Sequence, residues 1–203
     1  MKTDRTSAFS DGIFAIAATL LVLDIRLPDP ANPRLVEALL QEWPAYLGYF
    51  ASFAAIGIVW VNHHALVDCL AGVNRTLLFL NLLLLMTVGL VPFPTAFMAA
   101  AYREHAGLGV ATVLYGLSML AMASVFAATW TYLVMRSPQL LKPEVRNERS
   151  RMQKAWLGVV LYLITIGIAL ILPPLAFGMY LAIAAWFVFP GRHNPVEPIG
   201  PSA

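Results

Sequence analysis

An acid at position 11, within Phe9-Ser10-Asp11 and shortly after Arg5, stands at the mouth of the first apolar run of this chain. A carboxylate inside a greasy helix is costly in lipid and is retained only where partners or water satisfy it, so this helix is more than an anchor. The second apolar run ends Trp60-Val61-Asn62-His63-His64. Its indole, amide and imidazole groups are suited to donate charge-assisted hydrogen bonds to the Asp11 carboxylate, which would lock the two helices together. The paired histidines do not read as metal ligands, because adjacent residues on a helix point about 100° apart and no His-Glu-x-x-His spacing occurs. Gly116-Leu117-Ser118 begins a serine-nucleophile motif, but Leu120 occupies the place of its second glycine and no histidine follows in the later apolar runs, so no enzyme is expected. The single Cys69 rules out an internal disulfide framework and reads as a small buried apolar side chain.

The elements that must position these groups follow from composition. With 60% hydrophobic and 12% charged residues among 203, the chain is an integral membrane protein of the all-α class, with no room for a separate soluble domain. Uncharged runs cover 12–23, 43–62, 76–102 and 106–135, and a final run from 155 to 191 is too long for one crossing at about 1.5 Å per residue. Pro173-Pro174 divides that last run, since prolines remove donors and disfavour helix before them. Six crossings result, the last being short enough to be re-entrant. Basic residues agree with that count: ten lie on one side (Lys2, Arg5, Arg75 and the group from Arg136 to Arg192) against Arg26, Arg34 and Arg103 on the other. Both termini are therefore predicted cytoplasmic. Asp4 and Asp11 spoil a signal-peptide pattern. The loop from Asp24 to Glu42 reads as a proline-rich turn leading into an interfacial helix or an early start of the second span. The channel-sized helical unit is placed at 1–191 and a disordered tail at 192–203. The six bases from Arg136 to Lys154 orient the chain and attract anionic headgroups, with no nucleic-acid partner needed.

The uncharged core of the first helix is only about 12 residues, too short to cross lipid alone, so its ends must meet water or other helices and it belongs at the centre of an assembly. On a helical wheel Gly12, Ile16, Thr19 and Leu23 fall within about 60° of each other, with Leu20 and Leu27 at the edge; Ser10 and Asp11 point more than about 100° away. Two readings follow. The stripe packs on another helix, with Gly12 and Ala15 permitting close approach, or copies of it surround a pore and narrow it with apolar side chains.

Arg5, Phe9-Ser10-Asp11 and the Ile/Ala-rich run to Thr19 and Leu23 resemble the signature of the transmembrane protein 175 family, potassium-permeable cation channels of bacteria and of animal lysosomes. The layout is similar to the bacterial single-repeat form. The resemblance implies a homotetramer in a bacterial plasma membrane, its first helices lining a central pore, with Ile16 at the main constriction and Thr19, Leu20 and Leu23 also on the pore. It implies that Arg5, Phe9, Ser10, Asp11, Trp60, Asn62 and His63 form a helix-locking network rather than an ion site. The family lacks the carbonyl filter of ordinary potassium channels. Thr87-Val88-Gly89 looks like a piece of one, but it continues Leu90-Val91-Pro92 within a helical run and is read as chance. Selectivity for potassium over other monovalent cations is then expected to be weak, Thr19 being the only ligand-capable side chain on the stripe; no cofactor beyond the permeant ion is expected. The rival classes are a small secondary transporter, for which Asn81, Thr87, Ser118 and Ser124 are the polar midspan groups, and a non-conducting membrane scaffold.

Overall fold

Loop charges end apolar runs but do not end helices, because long basic side chains reach the headgroups while the backbone ladder continues. The computed structural model describes residues 3–146 and 149–188. Its helices are α1 (Thr3–Leu20, continued by a 3-10 turn at Leu21–Asp24), α2 (Leu35–Gln41), α3 (Trp43–Asp68), α4 (Arg75–Leu90), α5 (Pro92–Glu104), α6 (Leu108–Met135), α7 (Arg149–Ala169) and α8 (Pro173–Val188). Among the described residues there is no strand, only an isolated antiparallel bridge between Leu70 and Leu141. Five segments are long and apolar enough to cross a membrane: Arg5–Asp24, Trp43–Asp68, Arg75–Glu104, Leu108–Met135 and Arg149–Ala169. The shorter α8 is the sixth apolar helix.

Proline sets the breaks. Pro173 opens α8 at the first helical position, where the missing N–H would have been unpaired anyway. Pro92 and Pro94 interrupt what the sequence presents as one run over 76–102, so α4 and α5 form one crossing with a break at Val91. The stretch expected to hold an interfacial helix or an early start of the second span forms the short helix α2, separate from α3. The expected tail and Arg192 lie outside the described residues, as do Lys2 and Glu148.

α6 is the hub, in contact with α4, α5, α7 and α8, whereas α1 lies against α3 and α4 and α7 touches chiefly α6 and α8. Without a hydrophobic drive between helices in lipid, tight packing at small residues must hold such a bundle. Gly116 is the clearest instance: a Cβ there would run into the Tyr180 hydroxyl and Ile166. The loops at the base-rich end are stitched together, Ala71 N–H donating to the Leu140 carbonyl at 2.8 Å and Lys142 N–H to the Cys69 carbonyl at 2.9 Å.

Candidate functional site: the two faces of the first helix

The inner face of α1 carries Ser10, Phe14, Ala17 and Leu21, all at most 3% exposed. The opposite face repeats the same four-three-four spacing with Gly12, Ile16, Thr19 and Leu23, and there Ile16 is 60% and Leu23 74% exposed. Leu20 borders this stripe and is also exposed. The periodicity is that of a helix with one face against its own bundle and one against something else. Thr19 Oγ1 donates its hydrogen to the Ile16 carbonyl at 2.9 Å, so the outward side of its oxygen holds lone pairs.

Polar side chains fasten the inner face at the basic end. Ser10 Oγ donates to the Thr6 carbonyl at 2.8 Å. With that hydrogen used, Ser10 accepts from Asn81 Nδ2 at 3.0 Å, which turns Asn81 Oδ1 toward His63 Nε2 at 2.8 Å. An amide oxygen only accepts, so Nε2 of His63 carries the hydrogen. The Phe14 ring lies 5.5 Å from the imidazole. One amide on α4 thus joins α1 to α3. Asp11 is satisfied separately: the Trp60 indole N–H donates to its Oδ1 at 2.8 Å, and Ser7 Oγ stands 3.4 Å from Oδ2.

Sequence reasoning placed Arg5, Phe9, Ser10, Asp11, Trp60, Asn62 and His63 in one network. The structure joins Asp11 to Trp60 and joins Ser10 to His63 through Asn81, which the sequence offers only as a polar midspan group. Its signal was available: Asn81 is an amide within an otherwise leucine-rich stretch, and such a group requires a partner. Asn62 lies apart, spending its amide on the Ile58 carbonyl of its own helix at 2.8 Å. Phe9 is 54% exposed, and Arg5, also exposed, takes no part in these bonds. His64 stands 3.9 Å from Asp68 at the surface, and among the described residues no group of three or more His, Cys, Asp or Glu is placed to hold a metal.

The other sequence motifs resolve into helix. Thr87 Oγ1 donates to the Leu84 carbonyl at 2.6 Å within α4, and Ser118 Oγ to the Tyr115 carbonyl at 2.7 Å within α6. A cavity of about 20 Å³ beside His63, Asn81, Thr6 and Thr129 has room for one water. A larger groove of about 440 Å³ is lined by Gly109, Val110, Val113, Leu114, Leu117 and Leu170, with no side chain to bind a polar solute. Neither suits a transported substrate.

A family model described as endosomal/lysosomal potassium channel TMEM175 matches residues 5–92, the stretch that holds both faces of α1, all of α3 and Asn81. A potassium channel of Streptomyces collinus is 42% identical over 193 residues, covering 93% of this chain and 92% of that one. The chain belongs to the TMEM175 family. A crystal structure of the TMEM175 homologue from Chamaesiphon minutus superposes with a TM-score of 0.81 at 36% identity, over 92% of this chain and 96% of that one. The human endosomal/lysosomal proton channel TMEM175 is 35% identical over 155 residues, which make up 71% of this chain and 31% of the human protein. This TMEM175 member is thus an all-α membrane protein of an ion-channel family rather than an enzyme.

Proposed function

We propose that this chain is a potassium-permeable, weakly selective cation channel, assembled as a homotetramer in a bacterial plasma membrane with both termini cytoplasmic. The observation that carries the reading is the split α1 helix. Its inner face is closed by hydrogen bonds and apolar packing, while an apolar stripe with Ile16 at 60% and Leu23 at 74% exposure is left uncovered by the described residues of its own subunit. Four such stripes about an axis make a pore whose walls are Ile16, Thr19, Leu20 and Leu23. The unit that forms it is 1–191.

Ile16 forms the constriction. A ring of branched aliphatic side chains excludes water when narrow and conducts when widened, which is gating by dewetting. It offers nothing in exchange for an ion's hydration shell, so discrimination between potassium and sodium is modest and rests on the outward lone pairs of Thr19. The preference for potassium is supported by the names of the bacterial relatives. The network of Asp11, Trp60, Ser10, Asn81 and His63 holds the stripe in register and does not touch the ion. The base-rich loops supply the cytoplasmic orientation.

Single-channel recording of the reconstituted protein tests the reading. Ile16→Asn is expected to raise resting conductance at least tenfold and reduce selectivity; unchanged conductance, gating and selectivity would assign the stripe to packing. Saturable coupled uptake at carrier rates would make the protein a transporter, and absence of flux a scaffold.

A further inference from the structure

The outward face of α7 changes chemistry along a single line. Arg149, Gln153, Trp156, Val160 and Leu163 follow one another at alternating four- and three-residue spacing, which keeps them on one side of the helix. All five are exposed, Trp156 by 44%, Val160 by 48% and Leu163 by 53%. The order is cation, amide, indole, aliphatic. α7 packs chiefly on α6 and α8 rather than on α1, so this stripe is remote from the one that Ile16 occupies.

Its length is that of one leaflet. Arg149 to Leu163 spans about 21 Å at about 1.5 Å per residue, and a bilayer of about 40–45 Å with its headgroups allots about 20–22 Å to each leaflet. With Leu163 at mid-bilayer, Gln153 falls about 15 Å out, at the edge of the hydrocarbon, and Arg149 among the phosphates. The indole between them is fixed, Trp156 Nε1 donating to Thr131 Oγ1 of α6 at 3.0 Å. A second protein helix seated on this face would ask for small residues, and the stripe offers none.

Orientation of the chain requires only that bases lie on this side, wherever they stand. Here they are arranged. Arg136, Lys142, Arg146, Arg149 and Lys154 are exposed, and no ion pair among the described residues engages any of them. The loop that carries them is drawn onto the bundle by Leu141, fully buried in one cluster with Leu70 and Leu133. Arg146 Nε donates to the Leu141 carbonyl at 3.1 Å, so its guanidinium is held by one nitrogen and presents the other two. A fork already fixed in place loses little freedom on meeting an oxyanion.

We propose that the α6–α7 loop and the outward face of α7 seat one anionic phospholipid of the leaflet on the base-rich side. Arg146 and Arg149 take the phosphate, Gln153 and Trp156 the glycerol region, and Val160 and Leu163 an acyl chain. The phosphate oxygens accept charge-assisted hydrogen bonds from the guanidinium N–H groups. A zwitterionic lipid brings its own cation to the same bases and is held less well. The seat is independent of the pore reading, because none of its residues touches α1.

Native mass spectrometry of the detergent-purified protein tests the seat, with dioleoylphosphatidylglycerol and dioleoylphosphatidylcholine as probes. The anionic lipid is expected to bind about thirtyfold tighter, with about fivefold from each of the two arginines. Arg146→Gln with Arg149→Gln is expected to bind both lipids alike, whereas Arg26→Gln, an exposed base at the other end, keeps the difference. Arg149→Gln alone leaves the Arg146 bond to Leu141 intact; it is expected to lose about fivefold and serves if the double variant folds poorly. Equal affinity of the two lipids for the unsubstituted protein would overturn the seat. So would an undiminished preference in the double variant, which would make the attraction a property of the whole basic surface. Displacement of the lipid by glycerol phosphate at equal concentration would show that phosphate alone is read and remove the acyl half of the proposal.

Discussion

The two halves of the bundle hold their helices by different means. At the basic end, polar bonds run from α1 to both flanking helices, through Asn81 and through Trp60. In the other half, the polar joints bypass α1. Ser52 on α3 bonds Thr95 on α5 at 2.7 Å and the Tyr115 hydroxyl on α6 at 3.2 Å. Arg103 pairs with the mostly buried Glu42 at 2.8 Å, tying the end of α5 to the start of α3. Among the described residues, α1 beyond Asp11 makes no side-chain hydrogen bond to another helix: Thr19 bonds its own backbone, and Asp24 Oδ2 is buried without a partner. The first helix is therefore pinned at one end and held by apolar contacts at the other, and on the proposed channel reading the apolar half is where a constriction has freedom to widen and narrow.

The largest test of this contrast is Asn81→Leu, which leaves the Ser10 and His63 groups unmatched at once. Such orphans cost about 1–3 kcal/mol each, so a loss of about 2–6 kcal/mol is expected in detergent unfolding, with faster amide exchange in α1 from Ser10 onward. Ser52→Ala removes the joint of the other half and strands the Tyr115 hydroxyl, at a cost of about 1–2 kcal/mol. Amide exchange in α1 is expected to stay unchanged there; acceleration in α1 equal to that of Asn81→Leu would erase the distinction between the halves. Thr19→Val has the smallest effect on stability, within about 0.5 kcal/mol for an exposed site. Its readout is the reversal potential under bi-ionic potassium and sodium, where the loss of the lone pairs is expected to lower selectivity.

Much of this was legible in the chain. The wheel separated the Ile16 stripe from Ser10 and Asp11, and the double proline divided the last apolar run, because both depend on local backbone geometry alone. The same wheel argues against Asn62, which lies about 200° round from Trp60, whereas His63 lies only about 60° from it; proximity in sequence was mistaken for a shared face. Asn81 and the Arg103–Glu42 pair were not foreseen as joints, because each joins segments about 60 to 70 residues apart and no local pattern reports which polar group another will meet. Arg103 counted only as a loop charge, though the helix carries it inward to a partner.

The two backbone bonds that stitch the α3–α4 and α6–α7 loops have a mechanical meaning. They make a truss of two connections that would otherwise bend independently. A pull on the base-rich loops, from a headgroup or any partner on that surface, is shared between α3 and α6 and reaches α1 through the indole and the imidazole, at the end where that helix is already fixed. The load path stops there, and the apolar half of α1 carries none of it.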